Sequence, residues 1–314
     1  MYPTITIGNV KIASYALCTF AGIVACCVYI LVVLLRIEKA DKNTVLKTFA
    51  VFVPSLVVLY LSAVLFDALF HSIQEGKLVT NGITWEGGVI GGFTAYIVFT
   101  HFFFREKKGS ELDFFSLLVP GIVLGHAFGR VGCFLGGCCY GKISFVGGVV
   151  FPDGSPADLQ YPNNFVGSVP VLPTQLYEAG FELLLFAVML ILYKKYRTLN
   201  LEIYCLAYGA FRFGLEFFRG DNRGATGLFI SPSQLMSIIL ITAGILIILF
   251  KRGIIFKKLA AKAEVWRREA TLPMKITDSE DVYACIERLQ ELRDGGALTE
   301  EEFTQKKNDL LGRL

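Results

Sequence analysis

Long apolar runs separated by short basic turns fill most of this chain. Runs near residues 12–35, 45–66, 87–104, 116–135, 175–193, 201–218 and 230–250 each approach the roughly 20 helical residues that cross a hydrocarbon core. The pattern predicts an all-α, polytopic membrane protein with about seven transmembrane helices. The first run is too long for a cleavable signal and is followed by Arg36 and Lys39 as a stop-transfer cluster. Beyond residue 262 the pattern changes. Leucine and isoleucine spacing over 280–294 suits an amphipathic helix, Gly295-Gly296 ends it, and Thr299-Glu300-Glu301-Glu302 has the spacing of a capping box. The expected organisation is a membrane domain over 1–260, a linker over 261–279 and a small cytoplasmic helical hairpin over 280–314.

Charge fixes the expected orientation. Basic residues gather after the first run (Arg36, Lys39, Lys42, Lys47), after the third (Arg105, Lys107, Lys108), after the fifth (Lys194, Lys195, Arg197) and after the seventh (Lys251, Arg252, Lys257, Lys258, Lys262). Every second loop is therefore basic, which puts the N-terminus outside and the C-terminus in the cytoplasm. Hydrophobic residues make up 54% and charged residues 18%, against about a quarter charged in soluble domains, and the mean hydropathy is +0.56. The net charge of +3 is too small to imply a nucleic-acid partner. The exterior stretch from 136 to 174 is long, turn-rich and β-prone; long ordered loops are often functional, and a flexible connector is the reading equally open from composition.

Several residues do not belong in lipid. His126, Arg130 and Cys133 fall on one face at i, i+4 and i+7. An arginine within a span costs about 2.5–3.5 kcal/mol and normally points into a polar cavity; a structural arginine paired with a carboxylate for packing is the other reading open to Arg130. Gly121, Gly125, Gly129 and Gly132 share an adjacent face that would admit a close neighbour. Tyr208, Arg212, Glu216 and Arg219 form a second polar stripe, in which Glu216 can pair with either arginine and leave one guanidinium uncommitted. Together with Arg130, such groups would suit a phosphate at membrane depth, because guanidinium forks match phosphate oxygens. Glu86 stands at the exterior entrance of the third run, ahead of overlapping glycine pairs that include Gly87 and Gly88.

Of eight cysteines, Cys133, Cys138 and Cys139 lie at the exterior face. A Cys133–Cys138 disulfide, a thiol relay and inert packing are the readings open to them. No adequate ligand set for a metal is visible, and no cofactor is expected.

These motifs together resemble the prolipoprotein diacylglyceryl transferase family. The resemblance runs through MYPTITIGNVKIASYAL, TWEGGVIGG, ELDFFSLLVPGIVLGHAFGRVGCF, PTQLYEA, AYGAFRFGLEFFRGD and SPSQLMS, and covers nearly all of residues 1–260. It implies transfer of the diacylglyceryl group of phosphatidylglycerol to the lipobox cysteine thiol of a prolipoprotein signal peptide, releasing glycerol-1-phosphate. It also implies a bacterial cytoplasmic (inner) membrane setting among membrane lipids. The catalytic residues it suggests are Arg130, Arg212 and Tyr208, and Glu86 and His126 join them as candidates on this sequence's own departures from the family. Substrate would be held by Tyr15, Gly87, Gly88, Gln175, Tyr177, Glu216 and Arg219, together with the two arginines Arg130 and Arg212.

Two departures stand out. The family's histidine before Gly-Gly is Glu86, and the asparagine-rich stretch after its arginine is Cys133-Phe134-Leu135-Gly136-Gly137-Cys138. Glu86 or His126 is the candidate replacement base or orienting group. Two other readings use the same residues: an altered or silent member that binds phospholipid or signal peptides, and a membrane thiol oxidoreductase, against which stands the lack of a CxxC motif. LQELRDGGALTEEEFTQKKNDLL (289–311) resembles the short C-terminal domain SHOCT, implying a regulatory or oligomerising appendage.

Overall fold

The structure is a computed structural model, and it describes residues 4–7, 10–75, 85–104, 111–160, 169–221 and 229–254, with 286–287, 289–290, 293–294 and 299–311 of the tail. Strands β1 (Thr4–Ile7) and β2 (Val10–Ala13) pair antiparallel, with Thr4 opposite Ala13. Helix α1 (Ser14–Val32) follows directly and ends in a π-helical turn, Val33–Ile37. Next come α2 (Lys42–Glu75), α3 (Trp85–Phe103), α4 (Glu111–Gly136), the short α5 (Pro156–Gln160), α6 (Thr174–Tyr196), α7 (Asn200–Leu215), α8 (Pro232–Lys251) and α9 (Glu300–Leu311).

Among the described residues, five helical stretches are long and apolar enough to cross a membrane: Ser14–Ile37, Lys42–Phe66, Glu111–Gly136, Thr174–Phe218 and Ser233–Lys251. The apolar part of α3, Gly87–Phe103, is shorter. The fourth stretch holds both α6 and α7, which are separated by a 3-10 turn at Arg197–Leu199. Stacked Phe181 and Phe211 rings (centroids 4.0 Å apart) and a Glu178–Tyr208 hydrogen bond show the two helices lying side by side. Burial is inverted relative to a water-soluble fold. Glu178, Glu182, Gln175 and Thr174 are fully buried, whereas Phe20, Leu46, Leu184 and Ile191 are exposed. Only a solvent as apolar as those side chains reconciles the two, so the chain is an all-α membrane protein.

The chain forms two compact units, 1–33 with 115–248 and 34–114 with 249–314. In the second, α2 and α3 pack closely. A Cβ at Gly87 would overlap Phe66, and one at Gly91 would overlap Ser62. The Ser62 hydroxyl donates to the Gly87 carbonyl at 2.7 Å. Asp41 starts α2, its carboxylate accepting from the Asn43 and Thr44 amides at 3.1 and 3.4 Å. A hydrogen bond from the Thr44 hydroxyl, together with these amides, holds the Asp41 carboxyl below its ordinary range. Buried Lys251 and Asp113 pair at 2.7 Å.

In the first unit, α1 and α4 approach backbone to backbone. A Cβ at Gly22 would lie 2.7 Å from the Gly125 carbonyl oxygen, and Gly121 and Gly132 face Tyr29 and Cys18. Gly129 departs from this expected stripe, since nothing lies within 4 Å of a Cβ there. The described parts of the segment between α4 and α6 are built rather than loose. Gly141 donates to Leu172, Leu172 to Lys142, Lys142 to Phe218 and Val149 to Val171, at 2.8–3.0 Å. Tyr140, Phe151, Ala157 and Val171 form its small core, with Phe134 of α4 against it. Residues 161–168 of the expected exterior loop lie outside the described residues.

In the tail the expected capping box is present. Thr299 N donates to Glu302 Oε2 at 3.1 Å, and Glu302 N donates to Thr299 Oγ1 at 3.2 Å. The described residues of the preceding segment are helical, Leu289 and Phe303 are buried, and the Arg293 guanidinium lies 4.7 Å from the Phe303 ring centre.

Candidate functional site

Four helices of the first unit bring polar groups to one end. Arg130 sits in the last two turns of α4, Glu178 in the second turn of α6, Arg212 in the last turn of α7 and Ser233 in the first turn of α8. Local chemistry sets the start of α8: Ser231 and Gln234 cap each other reciprocally (3.1 and 3.2 Å), with Pro232 at the first helical position. That fixes Ser233, whose hydroxyl accepts from Arg212 Nη2 at 2.7 Å.

Glu178 is the hub. One carboxylate oxygen lies 3.1 Å from Arg130 Nε; the other accepts from the Tyr208 hydroxyl at 2.7 Å and lies 3.8 Å from Arg212 Nε. Arg130 Nε–H points to His126 Nε2 at 3.1 Å, so its contact with Glu178 is ionic rather than a second hydrogen bond. Because Nε2 accepts, a neutral His126 carries its proton on Nδ1, which faces Glu182 Oε1 at 2.8 Å. The His126 ring meets Tyr208 edge to face at 5.4 Å, and Tyr208 stacks on Tyr204 at 5.1 Å.

The two arginines are spent differently. Arg212 also gives Nη1 to Glu216 at 2.7 Å, so all three of its nitrogens face protein groups. Arg130 is held through Nε alone, and neither of its terminal nitrogens has an acceptor among the described residues. Two guanidiniums against Glu178 and Glu216 leave the pair formally balanced. What Arg130 offers an anion is therefore an open fork rather than excess charge.

The expected stripe on α7 breaks after Glu216. The helix ends at Leu215, Glu216–Phe218 form a 3-10 turn, and Arg219 is extended. Arg219 therefore leaves the Arg212 face and binds Asp221 through two nitrogens, at 2.8 and 2.7 Å. Glu216 goes to Arg212, and the guanidinium expected to stay uncommitted has a carboxylate of its own.

The remaining candidates are scattered. Tyr15 packs on α4 beside Gly132 and is partly exposed, and Tyr177 is exposed on α6. Gln175 is buried and donates to the Cys138 carbonyl at 2.6 Å. Gly87 and Gly88 serve the packing of α3 on α2 in the other unit. Glu86 lies in the first turn of α3, but its side chain is outside the described residues. Sequence reasoning missed Glu178 and Glu182; the signal was present in PTQLYEA, where Glu178 follows two residues that were singled out.

The cysteines depart from one of the open readings, the Cys133–Cys138 disulfide. All seven described ones are thiols, and the sulfurs of Cys133, Cys138 and Cys139 lie within 4.8 Å of one another. Spacing alone showed no ligand set because the chain reverses between them.

Comparison with known proteins is consistent throughout. The sequence profile of the family described as prolipoprotein diacylglyceryl transferase matches residues 3–250, and that of the short C-terminal domain SHOCT matches 286–311. A protein of Clostridium perfringens named phosphatidylglycerol–prolipoprotein diacylglyceryl transferase 2 is 33% identical over 60% of this chain and 73% of its own length. A Dehalococcoides mccartyi protein of the same name without the numeral is 31% identical over 79% of this chain and 92% of its own.

Proposed function

The chain belongs to the prolipoprotein diacylglyceryl transferase family, and from that premise we propose how it moves the diacylglyceryl group of phosphatidylglycerol onto a prolipoprotein's lipobox cysteine. The thiol gives its proton to water, and its sulfur attacks the carbon of the diacylglyceryl group that bears the phosphate ester. The carbon–oxygen bond breaks, its electron pair leaves on the phosphate, and glycerol-1-phosphate departs.

One observation carries the assignment of roles: Arg130 and Arg212 converge on Glu178 while the terminal fork of Arg130 stays open. Charge grows on the phosphate as the bond breaks, and a fixed guanidinium fork stabilises it without reorganising. Arg212, bound to Glu216 and Ser233, backs the site as a fixed cation. Glu178 holds the two guanidiniums in register, and Tyr208 fixes Glu178. His126 is a positioning residue: its acceptor nitrogen is taken by Arg130, and its other nitrogen is turned to Glu182. Of the base and orienting roles open to it, the orienting one fits this geometry. Gln175 and Thr174 steady the segment after α4 by donating to the Cys138 and Cys139 carbonyls at 2.6 and 2.9 Å.

The wider arrangement belongs to the same proposal. Counting α6 and α7 separately and adding α3 gives seven spans, with the N-terminus outside and the C-terminus in the cytoplasm of a bacterial inner membrane. The basic turns support this, as does the Lys251–Asp113 pair joining the start of α4 to the end of α8. The transferase unit runs over 1–260, and the tail folds as a helical hairpin beyond a linker, supported by Leu289, Phe303 and the capping box.

The test is direct. Purified protein, phosphatidylglycerol and a lipobox peptide should yield a peptide heavier by one diacylglyceryl group and an equal amount of glycerol phosphate. Lipid binding with neither product would reduce the chain to a phospholipid-binding relative.

A further inference from the structure

The three exterior cysteines are gathered by a specific backbone device. Helix α4 ends in a Schellman motif: Gly137 is left-handed (φ 72°), Cys138 N donates to Cys133 O at 3.1 Å and Gly137 N donates to Phe134 O at 3.2 Å. That motif stacks the second residue past the helix end on the fourth residue from the end. Those two residues are Cys138 and Cys133. Cys139 then takes a left-handed conformation too (φ 64°), which costs a non-glycine residue roughly 1–2 kcal/mol. The result is three sulfurs within 4.8 Å of one another, one buried and two half-buried. Packing alone gives no reason to accept that strain.

We propose that Cys133, Cys138 and Cys139 form a three-thiolate site for a soft d10 cation of the Zn(II) class, its fourth position left for the thiol of the acceptor cysteine. Zinc–sulfur bonds of about 2.3 Å at tetrahedral angles put sulfurs about 3.8 Å apart, inside the 4.8 Å that bounds the observed cluster. Three protein ligands with one open position is the pattern of catalytic rather than structural zinc. A single disulfide would satisfy two of these sulfurs and strand the third.

The surroundings fit. Three thiolates and a divalent cation carry one net negative charge, and Arg130 lies one helical turn before Cys133 on α4. Gln175 and Thr174 pin the carbonyls of Cys138 and Cys139, one turn along α6 from Glu178. The cluster thus adjoins the phosphate end of the site.

This inference rests on the transfer reading for the identity of the external thiol. On coordination the acceptor S–H gives its proton to water. The bound sulfur then forms the new bond to carbon while the phosphate leaves with the electron pair, and the cation's oxidation state does not change. The device supplies what Glu86 and the rewritten segment after Arg130 no longer provide, a thiolate at neutral pH.

The experiment uses the full chain in detergent, purified under reductant and stripped of metal, with Co(II) as spectroscopic probe and Zn(II) in competition. One ion per chain is expected, with a thiolate-to-metal band of three-sulfur intensity. Adding a lipobox peptide should raise that band by about a third, and the serine version of the peptide should leave it unchanged. Cys133→Ser, Cys138→Ser and Cys139→Ser should each weaken Zn(II) at least about a hundredfold, with Cys205→Ser as the unaffected control. No saturable binding, undiminished binding in Cys138→Ser, or a Cys133–Cys138 disulfide in the native protein overturns the site. Three-sulfur binding that ignores the peptide thiol overturns the open position. Metal binding is read without lipid or turnover, so a chain that binds the ion but transfers nothing counts against the transfer reading alone.

Discussion

His126 and Arg130 stand one turn apart on α4 and are joined by a 3.1 Å hydrogen bond from the guanidinium Nε to the imidazole Nε2. That bond, with Glu182 at 2.8 Å from Nδ1, makes the histidine a strut between a buried carboxylate and the arginine. His126→Ala should therefore slow transfer by about a hundredfold, the scale of a small misplacement, and His126→Gln should recover part of it. Initial rates across pH separate this from base catalysis. A strut variant lowers the whole profile and keeps its shape, whereas loss of a base removes a limb.

Glu178 is fully buried between two guanidiniums. Glu178→Gln keeps its shape but takes the carboxylate from Arg130 and leaves Arg212 with Glu216 alone. Breaking a buried pair from one side costs about 3–5 kcal/mol, so the variant should unfold at markedly lower temperature in detergent. Thermal melts of the two proteins in one micelle decide it. An unchanged melt means that Arg130 has another counter-ion.

Two glycines on facing helices should respond oppositely. Gly22→Ala drives a Cβ to 2.7 Å from the Gly125 carbonyl oxygen, an atom fixed in a helix, and should cost about 1–3 kcal/mol. Gly129→Ala meets nothing within 4 Å and should stabilise by up to about 1 kcal/mol through helix propensity. The same melts report both.

How far these features could be read in advance depended on whether they were local. The i, i+4 stripes through His126 and Arg130 and through Tyr208 and Arg212 are properties of one helix, and they hold. So does the Thr299–Glu302 capping box, which closes within four residues. Arg219 was misplaced because nothing in its spacing shows that α7 gives way to a 3-10 turn at Glu216. Glu178 and Glu182 were passed over because a carboxylate inside an apolar run acquires meaning only through its partners, and those lie on α4 and α7. The thiol cluster depends on left-handed residues at 137 and 139, which a helical-spacing argument cannot see.

The tail gives an independent check. Thr299→Ala removes one half of the capping box and should cost α9 about 1 kcal/mol. Hydrogen exchange of the amides in Glu300–Leu311 should quicken several-fold, with α4 and α6 unaffected. Unchanged exchange would mean that α9 is held by packing of Phe303 rather than by its cap.

The central claim is that the open fork of Arg130 receives the phosphate of the lipid. Arg130→Lys keeps the charge and removes the fork. The release rate of glycerol phosphate from phosphatidylglycerol, measured with saturating lipobox peptide, should fall by about 100- to 1,000-fold, as when one oriented donor to a developing oxyanion is lost. Release by Arg130→Lys at the unaltered protein's rate would contradict it.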